Sequence, residues 1–297
     1  MTLAPESLGR SSRPSRRQRL FRSMLDALRN PLLAVGGFLV LIQLVAVLFV
    51  GHILPFGPNT MDYNALLGAP GASHLLGTDE LGRDILSRLV DGARLSLSVG
   101  LGSVAMAALI GVPLGLVAGY LGGAFDAIFM RLIDSIIALP PLVLALTIAA
   151  VLGTGLVNTT IAIAIVAIPA FTRLVRGQVL SLKTNDYVLA AESLGAPTWL
   201  ILFRHILPNA INPVIVQASL AIGFAIITES SLSFIGLGAQ PPQSTWGSMV
   251  QVGFQYLELQ PFYALAPATM IFLAVLGFNM LGEGLRQQFD PASRGIK

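Results

Sequence analysis

Six long apolar stretches constrain this chain more than any other feature. They fall at about 32–50, 96–120, 134–152, 156–172, 210–228 and 262–281, each of roughly 17 to 25 residues. A helix of that length crosses the hydrocarbon core of a bilayer. In lipid the backbone must pair its own N–H and C=O groups, which a continuous apolar run does as an α-helix. Charged residues make up 11% of the chain and hydrophobic ones 54%, against about 25% charged in a soluble domain. The expected fold is therefore all-α and integral to the membrane, with six transmembrane helices.

The basic residues give an orientation. Residues 1–30 carry Arg10, Arg13, Arg16, Arg17, Arg19, Arg22 and Arg29, the pattern of a cytoplasmic anchor rather than of a partner-binding tail. The first apolar run is too long for the apolar part of a signal peptide, and no small-residue cleavage site follows it. With the N-terminus inside, the loops at 121–133 and 173–209 and the C-terminal tail also lie inside. That arrangement places 15 of the 18 Lys and Arg residues inside and leaves Arg83, Arg88 and Arg94 outside. In the outer segment 51–93, Pro55, Pro58 and Pro70 mark an irregular loop. Leu81, Ile85, Leu86 and Leu89 then suit one face of an interfacial helix.

Within the spans, Gly111, Gly115 and Gly119 repeat every four residues, which lets two helices approach closely. Pro113, Pro140, Pro141 and Pro169 interrupt helices whose freed backbone groups need partners on neighbouring helices.

The motifs of an energy-converting enzyme are absent. Lys183 follows Leu182 and Lys297 follows Ile296, so the Gly-Lys pair of a nucleotide-binding P-loop is missing. There is no cysteine, no H-E-x-x-H and no G-x-S-x-G, and His52, His74 and His205 lie outside the spans or at their edges. Charge inside the spans is sparse: Asp134 is expected at a helix start and Glu229 at a helix end. Gln43, Gln217 and Asn279 are the main polar exceptions within the apolar runs. Gln217 and Asn279 are candidates for a solute path, against the plainer reading of all three as interhelical hydrogen bonds. A conduit without its own source of energy needs a partner that supplies it. The surface for that partner is the polar stretch Thr184 to Asn209, read as two short helices. Asn185 or Asp186 caps the first, Gly195 ends it in a left-handed turn, and Pro197 opens the second.

This stretch resembles the cytoplasmic loop of permease subunits of ATP-binding-cassette importers, roughly E-A-A, three residues, G, nine residues, I-x-L-P. Ala190, Ala191, Gly195, Leu207 and Pro208 match it. Leu189 stands at the family's Glu and His205 at its Ile, and Glu192 follows the alanines instead. G-T-D-E-L-G-R-D-I-L-S-R (Gly77 to Arg88) and S-L-S-F-I-G-L-G-A-Q-P-P-Q-S-T-W-G-S-M (Ser231 to Met249) resemble the external signatures of the peptide-importer branch. L-G-E-G-L-R-Q-Q-F-D-P (Leu281 to Pro291) resembles its C-terminal tail, with Glu283 at a position usually Asp. The likeness is to the C-type permease of dipeptide, oligopeptide, glutathione and nickel importers.

The resemblance implies the type I importer permease fold: a cytoplasmic tail (1–30), a first span with its outer loop (31–93), a transport core (94–284) and a short tail (285–297). It implies a multi-pass protein of the bacterial inner membrane with both termini cytoplasmic. It also implies a homologous permease as partner, two cytoplasmic ATP-binding subunits and an extracytoplasmic solute-binding protein, with no cofactor and no nucleic acid. The docking residues would be Tyr187, Ala190, Ala191, Glu192, Leu194, Gly195 and Pro208. Arg83, Asp84, Gln240 and Trp246 are the candidate contacts to the binding protein. The competing readings are an independent channel or ion-coupled carrier, and a membrane enzyme. The solute itself is not named by the sequence.

Overall fold

The computed structural model describes residues 30–289; the arginines of residues 1–29, the tail residues Asp290, Pro291, Arg294 and Lys297, and the side chain of His52 lie outside the described residues. Nine helices carry the described chain: α1 (Pro31–Val50), α2 (Ile85–Leu121), α3 (Gly123–Ile137), α4 (Pro141–Leu152), α5 (Leu156–Leu182), α6 (Asp186–Ser193), α7 (Thr198–Phe234), α8 (Trp246–Gln255) and α9 (Phe262–Phe289). Five of them are each long and apolar enough to cross a membrane, and α3 with α4 forms a sixth, bent pair.

Two of the six expected spans need correction. The run 134–152 is not one helix, because α3 and α4 meet at 89°. The cause is Pro140–Pro141: neither can donate a backbone hydrogen bond, and Pro140 is extended (ψ 131°) as the cap of α4. Residues 85–93, expected as a separate interfacial helix, are the first turns of α2, and Leu81 precedes the helix. Elsewhere the helices outrun their apolar cores. The second helix of the expected docking pair is the opening of α7, so that pair is one short helix plus the end of a span.

The tightest packing is between α2 and α5, which run parallel. A Cβ on Gly111 would stand 2.8 Å from Phe171 Cβ, one on Gly115 2.5 Å from the Thr172 carbonyl oxygen, and one on Gly119 2.8 Å from Val179 Cβ. The glycine repeat is thus a groove into which the α5 backbone fits. Pro113 and Pro169 sit inside these same two helices. A second seam joins α1 to α9, antiparallel, where a Cβ on Gly36 would stand 2.8 Å from the Gly277 carbonyl oxygen.

Two cores result. One gathers α2, α4, α5, α6 and α7 around Leu116, Phe171, Val175, Val188, Ile201 and Ile206. The other gathers α1, the start of α2, α8 and α9 around Ile85, Leu89, Trp246, Met249, Tyr263 and Phe278. The topology sorts the connections by side. Residues 54–84, 153–155 and 235–261 meet at one end of the bundle, where Gly155 N–H donates to the Leu237 carbonyl at 3.1 Å and Gln260 Nε2 to the Gly68 carbonyl at 2.6 Å. At the other end lie the turn at Gly122, the stretch 183–197, and Asn30 beside Gln287 (3.3 Å).

Because Gly115 lies against backbone, the partner cannot yield by changing rotamer. Gly115→Val is expected to lower stability by about 2–3 kcal/mol, read as a drop in the thermal midpoint of the purified protein in detergent. Gly177→Ala, on the same helix pair but with nothing within 4 Å of an added Cβ, is the matched control and should leave the midpoint near wild type.

Candidate functional site

At the end of the bundle holding residues 183–197, helix α6, expected from the sequence as a docking element, is short but well closed. Asn185 is extended (ψ 145°) and sits at the cap position, but its side chain makes no capping bond, nor does that of Asp186; Val188 N–H donates to the Asn185 carbonyl instead. Gly195 closes the helix with φ +75°; its N–H donates to Glu192 O at 2.9 Å, and Ala196 N–H to Ala191 O at 3.1 Å. These are the two bonds of a Schellman turn, which requires a left-handed residue at this position. Nothing lies within 4 Å of a Cβ added at Gly195, so backbone conformation and not crowding in this chain calls for glycine. Pro197 is the extended residue before α7. The turns 201–206 widen to an i→i+5 pattern, ahead of Pro208, which has no N–H to give the preceding turn.

The segment is held from below and apolar above. Val188 is fully buried beside Ile201, Leu202 and Ile206. Facing outward are Leu194 (88% exposed), Trp199 (64%), Phe203 (55%), Leu189 and Tyr187; Trp199 and Phe203 open the span α7, where lipid can cover them, whereas Tyr187, Leu189 and Leu194 lie before that span. Ala190, Glu192 and Pro208 are also exposed and Ala191 half-buried. Sequence reasoning named Tyr187 and Leu194 as anchors but not Leu189, Trp199 or Phe203; the i, i+4 spacing of Trp199 and Phe203 was the available signal. Asn209 Nδ2 donates to Tyr187 Oη at 3.3 Å, and the Tyr187 ring lies 6.5 Å from that of His205. Tyr120, at the end of α2, donates from Oη to Glu192 Oε1 at 2.7 Å. Nearby, Arg176 grips Asp126 with two bonds of 2.6 Å each, and Arg173 pairs with Asp134. Asp134 is therefore inside α3 and tied to α5, not at the start of a span.

At the opposite end, polar groups turn inward. Arg83 pairs with Asp79 (2.6 Å) and Glu80 (2.9 Å), and Arg88 Nε lies 3.3 Å from Asp79. Asp84 caps α2, accepting from Ser87 N–H at 2.8 Å, with His74 Nδ1 3.0 Å from its other oxygen. Trp246 is fully buried and donates from Nε1 to the Leu89 carbonyl at 3.1 Å. Arg83, Asp84 and Trp246 therefore do not present the contact surface expected of them. The motif around them folds the loop onto α2, and of the four candidates only Gln240 is exposed.

Glu229 was expected at a helix end. It is fully buried inside α7, accepting from Ser96 Oγ at 3.0 Å and Ser233 Oγ at 2.6 Å. Ser96 Oγ in turn accepts from Trp246 N–H at 3.2 Å. One carboxyl group thus joins α2, α7 and α8.

The sequence profile described as the binding-protein-dependent transport system inner membrane component matches residues 111–295. The chain belongs to this family. It is similar to a glutathione transport system permease protein of Pectobacterium atrosepticum, at 44% identity over 265 residues, 89% of this chain and 88% of the relative. It is similar to a probable D,D-dipeptide transport system permease protein of Escherichia coli (44% over 266 residues, 90% and 89%). A dipeptide transport system permease protein of Alkalihalophilus pseudofirmus is 42% identical over 273 residues, covering 91% and 90%. Among solved structures, the inward-facing methionine ABC transporter superposes with TM-score 0.56 at 16% identity, over 68% of this chain and 96% of that one. At that identity the likeness carries the fold: the chain has the type I importer permease architecture.

In this permease the two candidates for a solute path do not converge. Asn279 is exposed, its amide 3.6 Å from a Cβ position at Gly223 on α7. Gln217 is half-buried and six residues before Gly223, about 9 Å along the helix. Gln43 is buried in α1, and neither its Nε2 nor its Oε1 has a hydrogen-bond partner, so the interhelical bond expected of it does not form within this chain.

The Glu229 cluster yields a stability test. Glu229→Ala removes the acceptor from the Ser96 and Ser233 hydroxyls and leaves a void. The permease is expected to lose about 3 kcal/mol, seen as a lower thermal midpoint, and an unchanged midpoint would mean that the cluster does not hold the three helices together.

Proposed function

We propose that the chain forms, with a homologous permease, the translocation path of an ATP-binding-cassette importer for short peptides or a closely related small solute. In this reading two separate ATP-binding subunits dock on the 183–209 segment and an extracytoplasmic solute-binding protein delivers the solute. The observation that carries it is the anchored helix α6 with its Schellman turn at Gly195. It lies within the family's motif and presents Tyr187, Leu189, Leu194, Trp199 and Phe203 outward. A short, closed helix with buried Val188 beneath and apolar side chains above is suited to seating in a cleft of a soluble subunit.

The peptide reading rests on the relatives' names, two of which specify dipeptides and one glutathione. Glutathione is itself a tripeptide, so these readings meet in one chemical class. We place the chain in the bacterial cytoplasmic membrane, with residues 183–197 and both termini on the cytoplasmic side, as the distribution of Lys and Arg supports. The transport core, about 94–284, then begins inside α2, with α1 packed on its flank. Since Arg83, Asp84 and Trp246 are buried, we assign the binding-protein contact to exposed Tyr63, Leu66 and Leu75 of the outer loop together with Gln240.

The chain has no cysteine, so single introduced thiols report topology directly. Leu194→Cys should react with a membrane-impermeant maleimide only in inside-out vesicles and Gln240→Cys only in right-side-out ones; the reverse pattern would invert the orientation.

Gly195→Asp forces a non-glycine residue to φ +75° and adds charge to the docking face. With cognate subunits in liposomes, it is expected to abolish solute uptake and solute-stimulated ATP hydrolysis while membrane insertion persists. Retained uptake would remove the docking role from α6. An ion-coupled carrier would transport without ATP-binding subunits, which the same liposomes test when those subunits are omitted.

A further inference from the structure

The helix α2 is 37 residues long, about 55 Å at 1.5 Å per residue, far more than a bilayer core of about 30 Å requires. Both of its ends are tied by hydrogen bonds to other elements. At one end Lys183 Nζ donates to the Gly119 carbonyl at 3.2 Å, and Tyr120 Oη donates to Glu192 Oε1 at 2.7 Å. Tyr120–Glu192 is the one side-chain hydrogen bond between α6 and α2 among the described residues. At the other end the Leu89 carbonyl accepts from Trp246, and Ser96 donates to the buried Glu229.

Between these ends α2 cannot slide on α5. The groove at Gly111, Gly115 and Gly119 receives Phe171, Val175 and Val179 of α5, each with its Cβ 2.8–2.9 Å from where a glycine side chain would begin, so an axial shift would press them against the larger α2 residues between the glycines. A load applied at Tyr120 therefore travels along α2 as along a rod. The covalent joints of α6 are turns, at 183–185 toward α5 and at Leu194–Pro197 toward α7; α6 also packs on α7 through Val188 and the Asn209–Tyr187 bond, so Tyr120 is its side-chain link to α2 rather than its only link to the bundle.

We propose that Tyr120 is a positioning residue for transport. It couples the docking helix α6 to α2, so that movement of α6 reaches the Ser96–Glu229–Trp246 cluster at the far end of the bundle. The proposal rests on the reading that ATP-binding subunits seat on α6, and it assigns the transmission to a residue outside that docking surface. Glu192, read from sequence as a docking contact, becomes the partner through which α6 holds α2.

The test uses the complete transporter in liposomes, reconstituted with its ATP-binding subunits and binding protein, and measures solute uptake per ATP hydrolysed. Tyr120→Phe keeps the ring and removes only the hydroxyl. It is expected to lower that ratio about fivefold, the low end of measured intersite coupling, while the ATP-binding subunits still copurify. Glu192→Ala should lower the ratio likewise, and Glu192→Gln, whose amide oxygen still accepts, should keep it near wild type. The double variant Y120F/E192A should fall no further than the lower single variant, as expected when two residues act through one contact. An unchanged ratio in Y120F, or losses that multiply in the double variant, would overturn the proposal. So would Y120F losing its ATP-binding subunits, since Tyr120 would then only prop up the docking surface. Wild-type protein that retained no ATP-binding subunits would instead defeat the docking reading itself.

Discussion

The close approach of α2 and α5 is the contact on which the rest of the bundle depends. Lipid provides little hydrophobic drive to bring two apolar helices together, so their association rests on van der Waals fit and interhelical polar bonds. The three glycines at four-residue spacing supply the fit, removing the side chains that would hold the two backbones apart. Because the two helices run parallel, α3 and α4 must carry the chain back between them. The Asp126–Arg176 and Asp134–Arg173 pairs then hold α3 to α5 across the 89° bend. Helix α6, the bend and the far-end cluster are all attached to this one pair.

Much of the architecture was legible in the sequence, because it follows from two simple constraints. Apolar length gave the number of spans, and the glycine spacing gave the tight helix pair, since both act through residue type alone. Helix ends were less legible. Ile85–Val90 and Thr198–Ile206 are helical because neighbours bury one side of them, as Ile85, Leu89, Ile201 and Ile206 show. No window of hydropathy registers a neighbour. Pro140–Pro141 was visible as an interruption, but a proline pair alone does not give the angle that the flanking helices adopt.

The local structure of the candidate docking segment was legible for a related reason. Gly195 and the residues around it form a local structure whose bonds span at most five residues, Ala191 to Ala196, and local structures leave local signatures. The cluster at the opposite end is non-local. Glu229 finds Ser96, 133 positions away, and Trp246 finds Leu89, 157 away. From sequence, the polarity and external placement of their segments suggested an exposed surface for Arg83, Asp84 and Trp246. In the fold those same properties serve a buried cap, an ion pair and an indole hydrogen bond.

The two ends of the bundle thus use opposite chemistry. At the 54–84 end polar groups point inward and fix the shape of a loop. At the 183–197 end apolar groups point outward, and only Val188 of α6 is buried. Buried ion pairs resist rearrangement because separating them leaves unpaired charge in a poor solvent. Exposed apolar side chains on a short helix gain stability only when something covers them. The proposed function, a subunit moved from one side by a soluble partner, calls for that distribution. The driven end must lack its full complement of contacts until the partner arrives, and the far end must be stiff enough to move as a body. The seam of α2 on α5 lets the second condition hold while the first is met.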